Sequence, residues 1–479
     1  MLVLPAKRRL YLVGLICLSG FLNRAFAQTL ALTPRVDERV ELLSIVFRLA
    51  GNDEYNMNQL PAYSADIDHF FAPFKEHGAV QMARRLAQKG DDGVGFDAVM
   101  AMAISLSPPP ALKPLVKLTA RTPDKRWGEV DAQKFLPRLR DFYRDSKFAS
   151  FYAAHQPMYH LAEERFASLL GAVDLGWYRR FYGKGPDLAY HLVLGMNNGG
   201  GNYGPRLSLP TGRDELFSII GCWTHDEAGS PTYPSDQGYL STIIHEFNHS
   251  FVNPAVAEHW KDFSGVDQVY ATIATQLKRM AYGNAETMVN ESLVRAGVIV
   301  YFLQRGEASR DNQRRIRQEQ RNGFFWMDRL VEKLKQYQAE RDQYSTFSSF
   351  MPQIAAFYRE LAMRASTEAA GFNAKSAHVV NMAPFANHEQ AVDASIKVIV
   401  IILDKPLDPH AGYSINKATK SEEKFPIAGN PTFGDEGLKI LLPVKLDPNQ
   451  RYGFVLTPLA FATPDGYPLA SYQVDFKTK

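Results

Sequence analysis

The sequence contains very little cysteine: Cys17 and Cys222 are the two cysteines among 479 residues. Cys17 lies in an N-terminal apolar segment that we expect to be removed on export. A mature exported chain would then keep a single thiol, which excludes an internal disulfide. The sequence therefore predicts a fold stabilised by burial of apolar side chains, together with any bound metal.

The sequence also lacks an excess of charge and, after its first residues, any long apolar run. Lysine and arginine number 54 against 51 aspartates and glutamates, for a net charge of +3. Such a balance gives no basis for binding nucleic acid or an anionic membrane surface. No later stretch reaches 18 apolar residues, so we expect no transmembrane segment in the mature chain. No repeat of 20–50 residues is present.

The N-terminus has the three parts of a secretory signal peptide. Lys7, Arg8 and Arg9 are followed by the apolar segment Leu10–Leu22, and Ala25-Phe26-Ala27 offers a cleavage site. An apolar segment of this length is too short to span a bilayer comfortably. The sequence predicts a signal peptide over residues 1–27 and an exported protein, periplasmic or secreted.

Helical periodicity dominates the next 340 or so residues. Residues 36–170 and 239–364 repeat apolar side chains at spacings of three and four, which predicts helices. Between them, the runs AYHLVLGM from Ala189 and ELFSIIGC from Glu215 predict two short strands. We expect a mainly helical domain around a small mixed sheet over residues 28–372.

The C-terminal residues, 373–479, have the texture of an all-β domain. Runs of β-branched and aromatic residues separated by turn residues predict strands at 396–403, 437–444, 451–456 and 472–476. The segments DKPLD, LDPNQRY and FKT resemble those of Ig-like modules appended to bacterial exported proteins; they are Asp404–Asp408, Leu446–Tyr452 and Phe476–Thr478. The resemblance implies an Ig-like β-sandwich, so the predicted fold class of the whole chain is α+β.

The motif His245-Glu246-Phe247-Asn248-His249 is the strongest chemical feature of the sequence. Histidines at positions i and i+4 of a helix lie on one face, so both imidazoles can reach one ion. Glu246 follows the first histidine and can act as general base towards an attacking water. Two imidazoles and a carboxylate suit Zn²⁺ with one open position, so we predict a zinc cofactor.

The third ligand lies elsewhere in the sequence. Val252 and Ala255 occupy the positions where a metzincin carries glycine and histidine, which excludes that arrangement. Glu291, within an apolar helical stretch, is the favoured ligand. Glu286 on the same helix and Asp267 further upstream stay open as alternatives.

The segment around Glu291 resembles the gluzincins, in which a glutamate after asparagine completes the zinc site. Arg295 departs from the relatives of thermolysin, which carry an aspartate at that position, and is a candidate for bracing a carboxylate or binding substrate. In gluzincins the strand before the zinc helix pairs with the substrate, which makes Tyr203, in a glycine-rich link, a further candidate. The resemblance implies an oxyanion donor too, and the candidates are Tyr270, Tyr282 and Tyr301. Tyr301 is also a candidate for binding substrate.

A wider resemblance extends from about residue 36 to residue 363. The zinc motif, Asn253-Pro254 after it, Glu291 with Arg295-Ala296, and the upstream strands together resemble a family of exported bacterial proteins. That family is catalogued mainly as a domain of unknown function with gluzincin-like character. The resemblance implies a metallopeptidase.

The function expected from the sequence is therefore that of an exported zinc peptidase acting on a peptide or protein substrate. A zinc hydrolase of non-peptide amides or esters is a second possibility. The alternative from another class is a cell-surface binding or scaffolding protein with a structural zinc and an Ig-like recognition module. Glu246 favours catalysis, because a closed structural site has no use for it. The sequence does not indicate an oligomeric state.

Overall fold

The computed structural model describes residues 32–89, 93–183, 187–235, 238–418 and 423–479. The predicted signal peptide lies outside these ranges. Within them the chain is mixed α and β, with 14 α-helices and three small sheets, and this confirms the predicted mixture of a helical part and a strand-rich C-terminal part. Among the described helices, none has the length and apolar character needed to cross a bilayer.

Eight helices form the first part of the chain, as the apolar periodicity predicts. The first of them begins after Asp37, whose carboxylate accepts the N–H of Arg39 at 2.8 Å, and ends at Gly51 with a φ of 99°. The helices are α1 (Glu38–Ala50), α2 (Pro61–Phe70), α3 (Gly78–Ala87), α4 (Asp97–Ile104), α5 (Glu129–Asp145), α6 (Phe148–Ala154), α7 (Gln156–Ala167) and α8 (Leu175–Tyr182).

A four-stranded mixed sheet follows, as predicted. Its strands are β1 (Pro34–Arg35), β2 (Asp187–Gly195), β3 (Arg206–Ser208) and β4 (Arg213–Gly221), in the order β1-β2-β4-β3. The first three in that order are parallel, and β3 runs antiparallel to β4 at the edge. The two predicted strands are the two long central ones.

Six further helices complete this part of the chain. They are α9 (Tyr239–His259), α10 (Val266–Arg279), α11 (Ala285–Gln304), α12 (Ser309–Arg321), α13 (Met327–Ala339) and α14 (Phe347–Lys375). Helix α9 packs against both β4 and α11. One hydrophobic core, drawn from residues between Val36 and Ala365, joins the helices to the sheet.

The C-terminal part is rich in strands, as predicted. Its strands are β5 (Val379–Ala383), β6 (Val398–Leu403), β7 (Ile415–Lys417), β8 (Thr432–Gly434), β9 (Lys439–Pro443), β10 (Arg451–Leu456) and β11 (Tyr472–Lys477). They form antiparallel sheets in the orders β5-β6-β9-β8 and β11-β10-β7. A second hydrophobic core, between Ala377 and Phe476, receives side chains from both sheets.

A buried glutamate connects α1 to the end of β2. Glu41 is fully buried, and its two oxygens accept the hydroxyl of Tyr63 and the N–H of Met196, each at 2.7 Å. Burial raises the pKa of this carboxyl to about 7, although the two hydrogen bonds act in the opposite direction. Glu41 therefore releases its proton near neutral pH in the folded chain and well below that in the unfolded chain.

We expect Glu41→Gln to remove part of the pH dependence of stability. The pKa of Glu41 is higher in the folded chain than in the unfolded chain. Its protonation therefore contributes fully to the free energy of unfolding below pH 4.5, and this contribution is lost as the pH rises towards 7. The loss amounts to up to about 3 kcal/mol. Urea unfolding measures the free energy of unfolding at pH 5 and at pH 8, and the change between the two should be smaller for the variant than for wild type. An equal change in the two proteins would contradict this. Glu332→Gln, at an exposed site, is the control.

Candidate metal centre

The two motif histidines face each other on α9. The Nε2 atoms of His245 and His249 are 3.1 Å apart, and their ring centroids are 4.8 Å apart. Two nitrogens bound to one tetrahedral zinc would be separated by about 3.3 Å. The pair thus already has the spacing of ligands to a shared ion.

Glu291 of α11 completes a group of three. Its Oε1 lies 3.5 Å from Nε2 of His249, and its Oε2 lies 3.5 Å from Nε2 of His245. In the described parts of the chain, these three residues form the one group of histidine, cysteine or acidic side chains arranged to hold a metal. The alternatives Glu286 and Asp267 do not belong to it. The structure therefore favours Glu291 as the third ligand.

A close contact between helices brings Glu291 to this position. At Gly297 of α11, a Cβ atom would lie 2.9 Å from the amide nitrogen of Asn248 on α9. The same amide donates to the carbonyl of Val294 at 3.1 Å. The missing side chain and this hydrogen bond allow the two helix backbones to approach, which places Glu291 opposite the histidines.

The surroundings of His245 and Glu291 fit a divalent cation. Burial, followed by the neighbouring His249 and Arg295, holds the pKa of His245 well below its usual value, so its imidazole is neutral. The Oε2 atom of Glu291 is buried and accepts no hydrogen bond from any residue that the structure describes. A neutral imidazole and a buried carboxylate oxygen without a hydrogen-bond donor suit the binding of zinc.

Glu246 is buried beside the group of three. Burial and the neighbouring charge of Glu291 raise the pKa of its carboxyl well above the usual value. The chain also passes very close to it on the side of the sheet. At Gly204, a Cβ atom would lie 2.0 Å from the carbonyl oxygen of Glu246, so this position admits only glycine without a shift of the backbone.

Gly204 belongs to an extension of the edge strand β3. Tyr203 and Ile219 exchange both main-chain hydrogen bonds, at 2.9 and 2.8 Å, and the carbonyl of Pro205 accepts the N–H of Phe217 at 3.0 Å. Because such bonds alternate along an antiparallel strand, the N–H and C=O of Gly204 point away from β4. They face the open edge of the sheet next to Glu246.

The predicted substrate-binding tyrosines lie in different places. Tyr203 precedes Gly204, but its side chain points to the opposite face of the sheet and is 6% exposed. Tyr301 is fully buried, and its hydroxyl accepts the N–H of Asp174 at 2.7 Å. It lies ten residues after Glu291, about 15 Å along α11. The expectation that Tyr301 contacts substrate is therefore corrected, because its ring packs in the core.

Arg295 and Tyr282 adjoin Glu291. Arg295 donates from Nη1 to Glu319 and from Nη2 to the hydroxyl of Tyr282, each at 2.9 Å, and its Nε lies 3.5 Å from Oε2 of Glu291. Of the three tyrosines considered from the sequence, Tyr282 is the one that the structure brings to the candidate metal ligands. Glu319 was not identified from the sequence, because nothing in the local pattern of α12 distinguishes it from a solvated helix face.

Similarity to solved structures is weak. CopC from Methylosinus trichosporium OB3b is 16% identical over 22% of this chain and 93% of its own, with a TM-score of 0.17. The surface layer protein SbsC, as domains 1–6 and as residues 31–844, is 12% and 13% identical over 50% of this chain, with TM-scores of 0.17. This chain covers 33% of each of these two SbsC chains.

No curated protein sequence matches the chain. A family model described as a domain of unknown function, DUF4932, matches residues 32–357. That range contains the four-stranded sheet, the motif His245–His249 and Glu291. The chain is therefore a member of the DUF4932 family.

Proposed function

We propose that the protein is an exported zinc-dependent peptidase of gluzincin type, with His245, His249 and Glu291 as ligands. The observation that carries the proposal is the convergence of these three side chains, on two helices, next to a buried glutamate. When bound, zinc would polarise the substrate carbonyl and make water more acidic. The four side chains and their order on the helices are those of a zincin-like site.

Glu246 is the proposed general base. It follows a ligand directly in sequence, so its carboxylate lies beside the site and remains outside the ligand set. Its raised pKa lets it accept a proton from the attacking water and later return it to the leaving amine. A site that served only to stabilise the fold would gain nothing from a second buried carboxylate, whose burial costs free energy.

The open edge at Gly204 supports a peptide as the substrate. An extended peptide can pair with outward-facing main-chain groups of an edge strand. Those groups belong to Gly204, which lies against the main chain of Glu246. Pairing there is proposed to bring a scissile bond to the part of α9 that carries the base. The hydroxyl of Tyr282, which accepts a hydrogen bond from Arg295, is the proposed donor to the oxyanion of the tetrahedral species.

The strand-rich C-terminal part is proposed as an Ig-like module for attachment or substrate presentation. It has its own hydrophobic core, formed between two antiparallel sheets. Export through the N-terminal signal peptide, to the periplasm or the medium, belongs to the same proposal. The competing function, a surface scaffold with a structural zinc, differs in having no need for Glu246.

Glu246→Gln should keep zinc and lose hydrolysis. The amide retains the shape of the side chain but cannot accept the proton, so we expect kcat/KM on a peptide library to fall by about 10²–10⁴. Zinc content should stay at the wild-type level. Glu258→Gln is the matched control, because Glu258 lies on the same helix but is exposed, with its carboxylate accepting the hydroxyl of Ser348. Unchanged cleavage by Glu246→Gln, or a zinc-loaded wild type that cleaves nothing, would favour the scaffold.

Gly204→Ala should impair both folding and activity. The added methyl would overlap the carbonyl of Glu246, so either α9 or the edge strand must move, at a cost of about 1–3 kcal/mol. We expect a lower melting temperature and a reduced kcat/KM. Gly371→Ala, where a Cβ meets no atom within 4 Å, is the control. Wild-type activity of Gly204→Ala would show that the edge strand does not position the site.

A further inference from the structure

A cationic side chain lies directly behind the acidic ligand. Arg295 follows Glu291 by one turn of α11, and its Nε is 3.5 Å from the carboxylate. The other two guanidinium nitrogens donate to Glu319 and to the hydroxyl of Tyr282, each at 2.9 Å. The two terminal nitrogens therefore bind groups of the protein, and Nε lies within ion-pair distance of Glu291.

The guanidinium is fixed in this orientation. Its central carbon lies 5.9 Å from the ring centroid of Tyr282 and 5.5 Å from that of Phe324. Glu319, its partner on α12, also accepts the side-chain amide of Asn322 at 2.9 Å. Arg295 cannot turn towards a substrate without breaking these contacts, which argues against the substrate-binding role considered from the sequence.

The positive charge of Arg295 opposes the binding of a metal ion to the neighbouring group of three. A unit positive charge within a few ångströms of a divalent ion weakens its binding by a factor on the order of ten, even at the dielectric constant of water. Glu319 offsets this only in part, because it binds Nη1 of Arg295 and does not belong to the group of three candidate ligands. An arginine beside the acidic ligand would weaken a metal site whose only role was to stabilise the fold.

We propose that Arg295, anchored by Glu319, is a positioning residue that draws the negative charge of Glu291 towards itself and away from the metal. The three ligands then hold zinc less tightly than they would alone, and the ion stays more electrophilic towards a substrate carbonyl. The inference rests on the proposed zinc site and adds a role for two residues outside the ligand set. Arg295 thus lowers the affinity of the site for zinc and raises the reactivity of the bound ion towards a substrate carbonyl.

The test is the zinc dissociation constant of the full-length protein, measured by competition with a chelating indicator at fixed pH and ionic strength. For Arg295→Gln we expect a dissociation constant about tenfold lower than that of wild type. Arg295→Lys keeps the charge and should stay within about threefold of wild type. Any peptidase activity should show a lower kcat with little change in KM for Arg295→Gln.

Arg305→Gln is the matched control, since Arg305 lies on the same helix and also contacts a tyrosine, Tyr301, by its ring and hydroxyl. Its zinc affinity should equal that of wild type. If Arg295→Gln fails to fold because Glu319 loses its partner, Arg295→Gln with Glu319→Gln removes both charges and should still bind zinc more tightly.

If folded Arg295→Gln, alone or with Glu319→Gln, binds zinc more weakly than wild type, the inference is overturned. That result would show that Arg295 only holds the carboxylate of Glu291 in place. A wild-type protein that binds no zinc would instead refute the proposed function itself. Tighter binding by Arg295→Gln together with unchanged binding by Arg295→Lys would establish that charge decides the affinity.

Discussion

The close approach of α9 and α11 is the contact on which the site depends. Gly297 leaves room for Asn248, and the helices then bring a carboxylate from one within reach of two imidazoles on the other. Burial of Glu291 without a hydrogen-bond donor on Oε2 is costly unless a cation compensates it. The neighbouring arginine supplies part of that compensation, and a metal ion would supply the rest.

The four-stranded sheet also contacts α9 next to the candidate metal-binding group, through the chain segment at Gly204. Glu41 on α1 holds the end of β2 through the N–H of Met196, and the chain then passes through the glycine-rich link to Gly204. There the backbone lies directly on Glu246. A buried glutamate, the edge of the sheet and the candidate metal-binding group thus occupy one region, although they come from three distant parts of the sequence.

Much of this could be predicted from the sequence, because the relevant patterns are local. The spacing of His245 and His249 sets their common face, and the apolar stretch around Glu291 indicates a buried helix. The strands at residues 187–195 and 213–221 also follow from local composition. The contact partners of a side chain could not be predicted in the same way, because tertiary packing decides them. Tyr301 was expected near substrate, yet ten residues of helix carry it away from Glu291 into the core.

The central claim is that Glu291, together with the two histidines, holds a metal ion. Its most direct test is the zinc content of purified Glu291→Ala beside Glu286→Ala, a glutamate of the same helix that lies outside the group of three. The account predicts about one zinc per chain in wild type and in Glu286→Ala, and a large loss in Glu291→Ala. Equal zinc content in the two variants would contradict it.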